Sequence, residues 1–240
     1  MNCVILQPSY IPWRGYFHQI YKADLFIFYD DVQYDKNGWR NRNRIKTRNG
    51  PIWLTIPVLH RGSVSDKTPI LEISIDWSKD WQRKHWLSIQ QSYSKAPFFQ
   101  NYAPILEPYF SRRTEKLADL TIDLTIKLAE CLGINRTSYA RSSTLGGSGT
   151  KTDHLVDLLK KVRADHYISG PSAAEYLEVD KLSAAGISLE WMVYNYPEYE
   201  QLYPPYDPQV SILDLLFMQG PEAGKMIWEK TVARELPGEG

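Results

Sequence analysis

The sequence predicts an α/β fold built on a mainly parallel, Rossmann-like sheet, with a helical insertion in the middle of the chain. Three observations predict it. The apolar run Cys3-Val4-Ile5-Leu6, a helical segment over 14–22 and the apolar run Leu25-Phe26-Ile27-Phe28-Tyr29 follow one another at the start of the chain. That succession is a βαβ unit. Helical patterns then dominate from about 79 to 132, and short apolar runs alternate with helices again from 137 to 193. All 240 residues read as one domain, since no linker or internal repeat divides them.

Each element has a local reason. The first strand stops at Gln7-Pro8, because proline cannot donate to a ladder. The first helix ends near Ala23-Asp24, and the second strand closes at Asp30-Asp31. Residues 52–58 and 70–75 are the next strand candidates, separated by a Gly/Ser/Asp loop at 61–68. A helix over 79–92 places Trp86, Ile89 and Tyr93 on one face. Pro104 and Pro108 interrupt a helix over 98–110. Leu117, Leu120, Leu124, Leu128 and Cys131 repeat at helical spacing over 115–132, which ends at Gly133. A strand at 137–141 precedes the loop Gly146-Gly147-Ser148-Gly149. Thr150 with Asp153 suggests a capping box for a helix over 151–163. Strand 166–168, a helix over 178–185 and strand 187–193 follow. A Tyr/Pro-rich loop spans 194–209, helices occupy 210–218 and 221–229, and the tail after Thr231 reads as frayed.

The bulk numbers bound the function. Lys+Arg and Asp+Glu both number 28, so no net field draws the chain to nucleic acid or anionic lipid. Cys3 and Cys131 lie in apolar patterns and suggest neither a disulfide framework nor a metal site. Met1 leads straight into the first strand and no apolar run reaches membrane-spanning length. The expectation is a cytoplasmic protein without membrane insertion. Tyr (16) and Trp (8) together far outnumber Phe (7), which fits pockets for amphiphilic ligands such as sugars and nucleotides, or a tyrosine-rich core.

Parallel sheets bind ligands beyond the carboxyl ends of their strands. Gln7, Tyr10, Trp13 and Arg14 leave the first strand on a proline-stiffened loop, where they can face an anion at the start of the next helix. His18, one turn on, is a candidate general base or phosphate partner. The structural alternative is a stiff turn with core aromatics. Asp30 and Asp31 can bind a divalent cation, accept from sugar or ribose hydroxyls, or cap a turn, and on an extended chain only one of them, taken as Asp31, reaches a site. Between Trp39 and Lys46, alternation sends Arg40, Arg42, Arg44 and Lys46 to one side and Asn41, Asn43 and Ile45 to the other. A row of arginines suits phosphate or carboxylate, or it is a solvated edge strand. His85 is a secondary catalytic candidate against the commoner packed histidine. The 146–149 loop with Lys151 can cradle phosphate on backbone N–H groups or be simply a mobile loop, and it matches neither a Walker A loop nor a dinucleotide fingerprint. Ser169, Gly170, Tyr176, Tyr199 and Gln201 are binding candidates from the second half, since no nucleophile elbow surrounds Ser169.

Taken together, Gln7-Pro-Ser-Tyr-Ile-Pro-Trp-Arg-Gly-Tyr-Phe, Ala23-Asp24, Asp30-Asp31-Val-Gln-Tyr, Asn41-Arg42-Asn43-Arg44-Ile45-Lys46 and Trp53-Leu-Thr-Ile-Pro-Val resemble the WbqC-like protein family. So do Trp81 with Lys84-His85, Tyr167-Ile-Ser-Gly, Tyr199 with Gln201, and Ser211-Ile-Leu-Asp214-Leu-Leu-Phe with Gly220. The resemblance spans about residues 3–228. It implies surface-polysaccharide (O-antigen, lipopolysaccharide) biosynthesis, and a transferase acting on a nucleotide-linked sugar, for example acyl or aminoacyl transfer to an amino sugar. The expected partner is a phosphorylated small molecule or nucleotide sugar, with no nucleic acid. No resident cofactor is identified, although Mg²⁺ with a nucleotide fits the expectation. A looser likeness to adenylate-forming nucleotidyltransferases lacks their His-x-Gly-His motif, of which Gly15 and His18 are a partial echo. A non-catalytic sugar-nucleotide-binding factor is the third alternative.

Overall fold

The computed structural model describes residues 1–59 and 67–229. It opens with β1 (Asn2–Leu6), α1 (Arg14–Lys22) and β2 (Leu25–Phe28). The inserted section holds the hairpin β3 (Arg42–Thr47) and β4 (Gly50–Thr55), the short strands β5 (Val58–Leu59) and β6 (Ser74–Ile75), and helices α2 (Trp81–Tyr93), α3 (Phe99–Leu106) and α4 (Leu117–Cys131). The chain then returns through β7 (Ser138–Arg141), the one-turn α5 (Ser142–Leu145), α6 (Thr152–Lys161), β8 (His166–Ser169), α7 (Val179–Ala184) and β9 (Ser188–Trp191). It ends on α8 (Ile212–Gln219) and α9 (Lys225–Trp228).

Five strands form one parallel sheet in the order β7-β2-β1-β8-β9. β1 is central, with Cys3 opposite Leu25 on one side and Tyr167 on the other. Alternate β1 residues enter different cores. Val4 packs with Phe26, Phe28 and Ile168 against α1 and α4. Cys3 and Ile5 pack with Ile27 and Tyr167 against Leu155 and Leu158 of α6 and Leu182 of α7. Burial on both faces is why β1 reads as an unbroken apolar run. The strand order grows outward from β1 in both directions, so a crevice opens between β1 and β8 at their carboxyl ends. Both cysteines are free thiols. No described helix is long and apolar enough to cross a membrane.

Several local expectations are corrected. Residues 70–75 form a 3₁₀ turn (Ile70–Glu72) and then the two-residue β6, because Ile73 closes the turn by bonding back to Ile70. Residues 52–58 divide into β4 and β5 around Pro57, which cannot donate to a ladder. The 150–153 capping box is absent. α6 starts at Thr152 after Lys151, which has φ 53° and no capping side chain, and Asp153 instead pairs with Lys181. The expected 61–68 loop lies largely, and the tail after Thr231 wholly, outside the described residues.

The inserted section is locked to the end of the chain by one buried network. Asp214, in the first turn of α8, accepts from Tyr199 and Gln201 on Oδ1 (2.8 and 2.9 Å) and from Tyr93 of α2 on Oδ2 (3.0 Å). Gln201 Oε1 accepts in turn from Lys46 Nζ (2.6 Å), which also donates to the Pro205 carbonyl. Burial pushes the Asp214 carboxyl up, while these donors and the Lys46 charge hold it down. Cutting out one member strands the others in a medium that solvates them poorly. Asp214→Ala should therefore lower unfolding free energy by about 3–5 kcal/mol, read from urea denaturation, whereas Glu222→Ala on the surface should stay within about 0.5 kcal/mol of the parent.

Candidate active site

The central strand leaves the sheet through Gln7, Pro8, Ser9, Tyr10 and Ile11. Ile11 sits at φ 36°, a region that β-branched residues avoid. It is held there because Asn43 of β3 donates to both the Tyr10 and Ile11 carbonyls (3.2 and 2.9 Å), and because Ile11 itself is completely buried. Arg40 closes the other side. Its Nη1 donates to the Gln7 and Pro8 carbonyls and Ser9 Oγ (3.1, 3.3 and 2.9 Å). Tyr16 Oη donates to the same Gln7 carbonyl (3.1 Å). Arg40 Nε is buried without a partner. Among the described residues no carboxylate comes within ion-pair distance of this guanidinium, and Asp35 acts on it only through space. Burial consequently lowers its pKa. A half-buried cation with an idle donor at a strand end is set up for an anion.

The opposite wall comes from β8 and the loop after β9. Ser169 is buried near the Tyr167 hydroxyl, and a Cβ on Gly170 would lie 3.3 Å from Tyr194 Oη and 4.0 Å from Gln19 Nε2. Gln19, buried on α1, donates to Tyr194 Oη (2.8 Å), and its Oε1 has no partner. His18 Nδ1 meets Tyr196 Oη at 3.1 Å, and burial, then the Lys22 charge, lowers the imidazole pKa. Trp13 stands edge-on to Tyr194 and Tyr196. Tyr176, 65% exposed, overhangs the edge close enough to influence both Arg40 and Tyr29 through space.

The β2 edge carries the carboxylates. Asp30 is completely buried. Its Oδ1 accepts from Ser143 N (3.1 Å) and its Oδ2 from Ser143 Oγ (2.9 Å), so it caps α5 from outside, with Arg141 at 4.0 Å. Asp31 keeps 20% of its side chain exposed. Its Oδ1 lies 2.5 Å from Ser142 Oγ and its Oδ2 3.5 Å from His154 Nε2. His154 Nδ1 in turn meets Tyr29 Oη at 2.8 Å. Tyr29 is bound into the β1 edge by its N–H, which donates to the Leu6 carbonyl (2.8 Å).

Sequence-predicted residues thus fall into separate groups. Gln7, Arg40, Asp31, Ser169, Gly170 and Tyr176 gather along the β2-β1-β8 edge, with Trp13 and His18 flanking it. Tyr10 turns inward, its hydroxyl on His85 Nδ1 (2.9 Å), and both are buried. Arg14 holds the post-β9 loop through the Pro197 carbonyl and Tyr206 Oη (2.9 and 2.7 Å) and lies over the Tyr196 ring. The expected cationic row is divided. Arg40 precedes β3, and Arg42 and Arg44 flank the Trp53 ring. Lys46 is buried with Gln201, and Asn41 serves the Ile56 carbonyl (2.8 Å). Tyr199 and Gln201 belong to the Asp214 network. In the glycine loop Ser148 N donates to Asp157 and Gly146 N to the Ser142 carbonyl, and Lys151 is exposed. Among the described residues no group of three or more His, Cys, Asp or Glu is arranged to hold a metal ion.

The model of the WbqC-like protein family matches residues 7–226. The chain belongs to that family. It is also 42% identical over 221 residues to the uncharacterized protein Rv1507c of Mycobacterium tuberculosis (strain ATCC 25618 / H37Rv), covering 91% of this chain and 94% of that one. No solved structure gives a significant match.

Sequence reasoning passed over several edge residues of this WbqC-like protein: Tyr29, His154, Gln19, Tyr194, Ser142 and Ser143. His154 could have been found, since it shares the apolar stripe of α6 with Leu155 and Leu158, and a histidine there needs a polar partner. The serines could not, because only the fold brings β7 beside β2.

His85 yields a pH prediction. Burial pushes its imidazole down to about 4 from 6.5, despite a backbone hydrogen bond to Thr55. Between those values the unfolded chain binds a proton that the folded chain refuses, so stability falls as pH falls through the window. The loss should be on the order of 3 kcal/mol between pH 7 and pH 4. Urea midpoints of wild type and His85→Gln across that range check it: the substitution should flatten the wild-type slope, and superimposable profiles would count against a neutral buried imidazole.

Proposed function

We propose that this protein is a transferase of surface-polysaccharide biosynthesis. It binds a nucleotide-linked sugar at the carboxyl edge of β1 and β8 and moves an acyl or aminoacyl group onto an amino sugar. One observation carries the reading: the Arg40 guanidinium sits half-buried at the topological switch point, has an idle Nε, and has no carboxylate partner among the described residues. A diphosphate supplies the missing charge and accepts from a planar fork. The tyrosines that rim the edge, Tyr176, Tyr194 and Tyr196, offer flat apolar faces and hydroxyl tips suited to a sugar or a base. Family membership supports the polysaccharide context through the association drawn from its sequence motifs.

Thermal unfolding with UDP-, dTDP- and GDP-linked sugars tests this. At a hundredfold excess over the dissociation constant a binder adds about 2.7 kcal/mol of stability. Arg40→Lys should abolish most of that gain relative to its own unliganded melting temperature, because an ammonium loses the fork. Arg44→Ala should keep it, since Arg44 lies against Trp53 and Gln209. Absence of any shift across the panel would sink the nucleotide-sugar reading.

A further inference from the structure

We propose that Asp31, His154 and Tyr29 form a proton relay that opens onto the Arg40 edge through the Tyr29 phenol. The proposal rests on reading that edge as a transferase site, and it supplies the acid–base group that the reading leaves unnamed.

The three side chains stand in sequence. Asp31 Oδ2 lies 3.5 Å from His154 Nε2, and His154 Nδ1 lies 2.8 Å from Tyr29 Oη. Asp31 is itself oriented, with Ser142 Oγ 2.5 Å from its other oxygen. His154 is more than nine-tenths buried and its Nε2 makes no hydrogen bond, so Asp31, 3.5 Å away, is the anion facing that nitrogen. The pocket around the imidazole is built by the glycine loop. A Cβ on Gly147 would lie 2.2 Å from His154 Nε2, so only glycine lets the loop close there. This gives the 146–149 segment a role in shaping that pocket. The groups acting on the imidazole are Asp31 and Tyr29 from the β2 end and Asp157 from its own helix, where Asp157 already holds Ser148 N and Lys161.

The direction of the proton follows. With Asp31 holding the Nε2 proton, Nδ1 carries the lone pair and accepts from the phenol. Burial, with Asp31 second, keeps Tyr29 protonated, so it donates to His154 while its oxygen keeps the capacity to accept. Tyr29 lies beside Leu6 at the β1 end and within electrostatic reach of Tyr176, which also reaches Arg40. In the transfer, an amine of the acceptor sugar attacks the carbonyl carbon of an activated acyl donor. The nitrogen–carbon bond forms, and the bond to the leaving group breaks with its electron pair. The amine proton passes to Tyr29 Oη as the phenol proton passes to His154 Nδ1, and the imidazolium beside Asp31 returns a proton to the leaving group along the same path.

Two measurements test the relay without any nucleotide sugar, so its failure and that of the nucleotide-sugar reading are separable. In ¹⁵N-histidine-labelled protein at pH 8, His154 should carry its proton on Nε2 and none on Nδ1. A proton on Nδ1 overturns the relay, because Tyr29 then has nowhere to pass its own. With p-nitrophenyl acetate as donor and glucosamine as acceptor, the wild type should release p-nitrophenolate faster than buffer. Tyr29→Phe, which keeps the ring, and His154→Gln should each lower the protein-dependent rate at least about tenfold, with circular dichroism and melting temperature confirming folded variants. Equal rates in the three proteins, or a wild type no faster than buffer, would overturn it.

Discussion

Arg40 closing the exit of the central strand is the interaction on which the rest of the site depends. A parallel sheet delivers every strand end to one edge, and its carbonyls there need donors that the sheet cannot supply. One guanidinium nitrogen covers the Gln7 and Pro8 carbonyls and the Ser9 hydroxyl. This fixes the path of the loop that carries the chain from β1 into α1. It also brings a positive charge to the switch point and leaves part of the donor fork unspent. The strained Ile11 is tolerable only because Asn43 and the surrounding core determine the loop from the other side.

The inserted section therefore acts less as an appendage than as the support of the edge. β3 supplies Asn43 beneath the loop, α2 supplies His85 to Tyr10, and Tyr93 reaches Asp214. Asp214 gathers Tyr199 and Gln201 and so anchors the post-β9 segment, whose Tyr194 and Tyr196 form the far wall. Buried polar pairs of this kind are costly when incomplete, which ties the shape of the edge to the integrity of a network some distance from it. The two carboxylates after β2 divide the work by burial alone. Asp30 is spent on capping α5, and Asp31 remains at the surface beside His154.

What could be read without coordinates was what depends on local pattern. The unbroken apolar runs of β1 and β2 announced strands buried on both faces, and their spacing around α1 announced parallel pairing. The ends of those strands pointed to Gln7 and Asp31, and the basic stretch pointed to Arg40. The row of arginines failed as a unit because its alternation assumed one strand from 39 to 46, whereas β3 begins only at Arg42 and its Lys46 end is covered by the 199–210 loop.

The sequence by itself determined the element types, the parallel sheet and the edge on which polar residues collect, since these follow from periodicity and from where proline, glycine and acids interrupt it. Only the tertiary structure decided which of those residues meet. Tyr29 and His154 lie 125 positions apart, and Asp30 and Ser142 lie 112 apart. Such contacts are set by strand order, and strand order is fixed by how whole faces of helices and sheet bury against one another, a global sum that no local window contains.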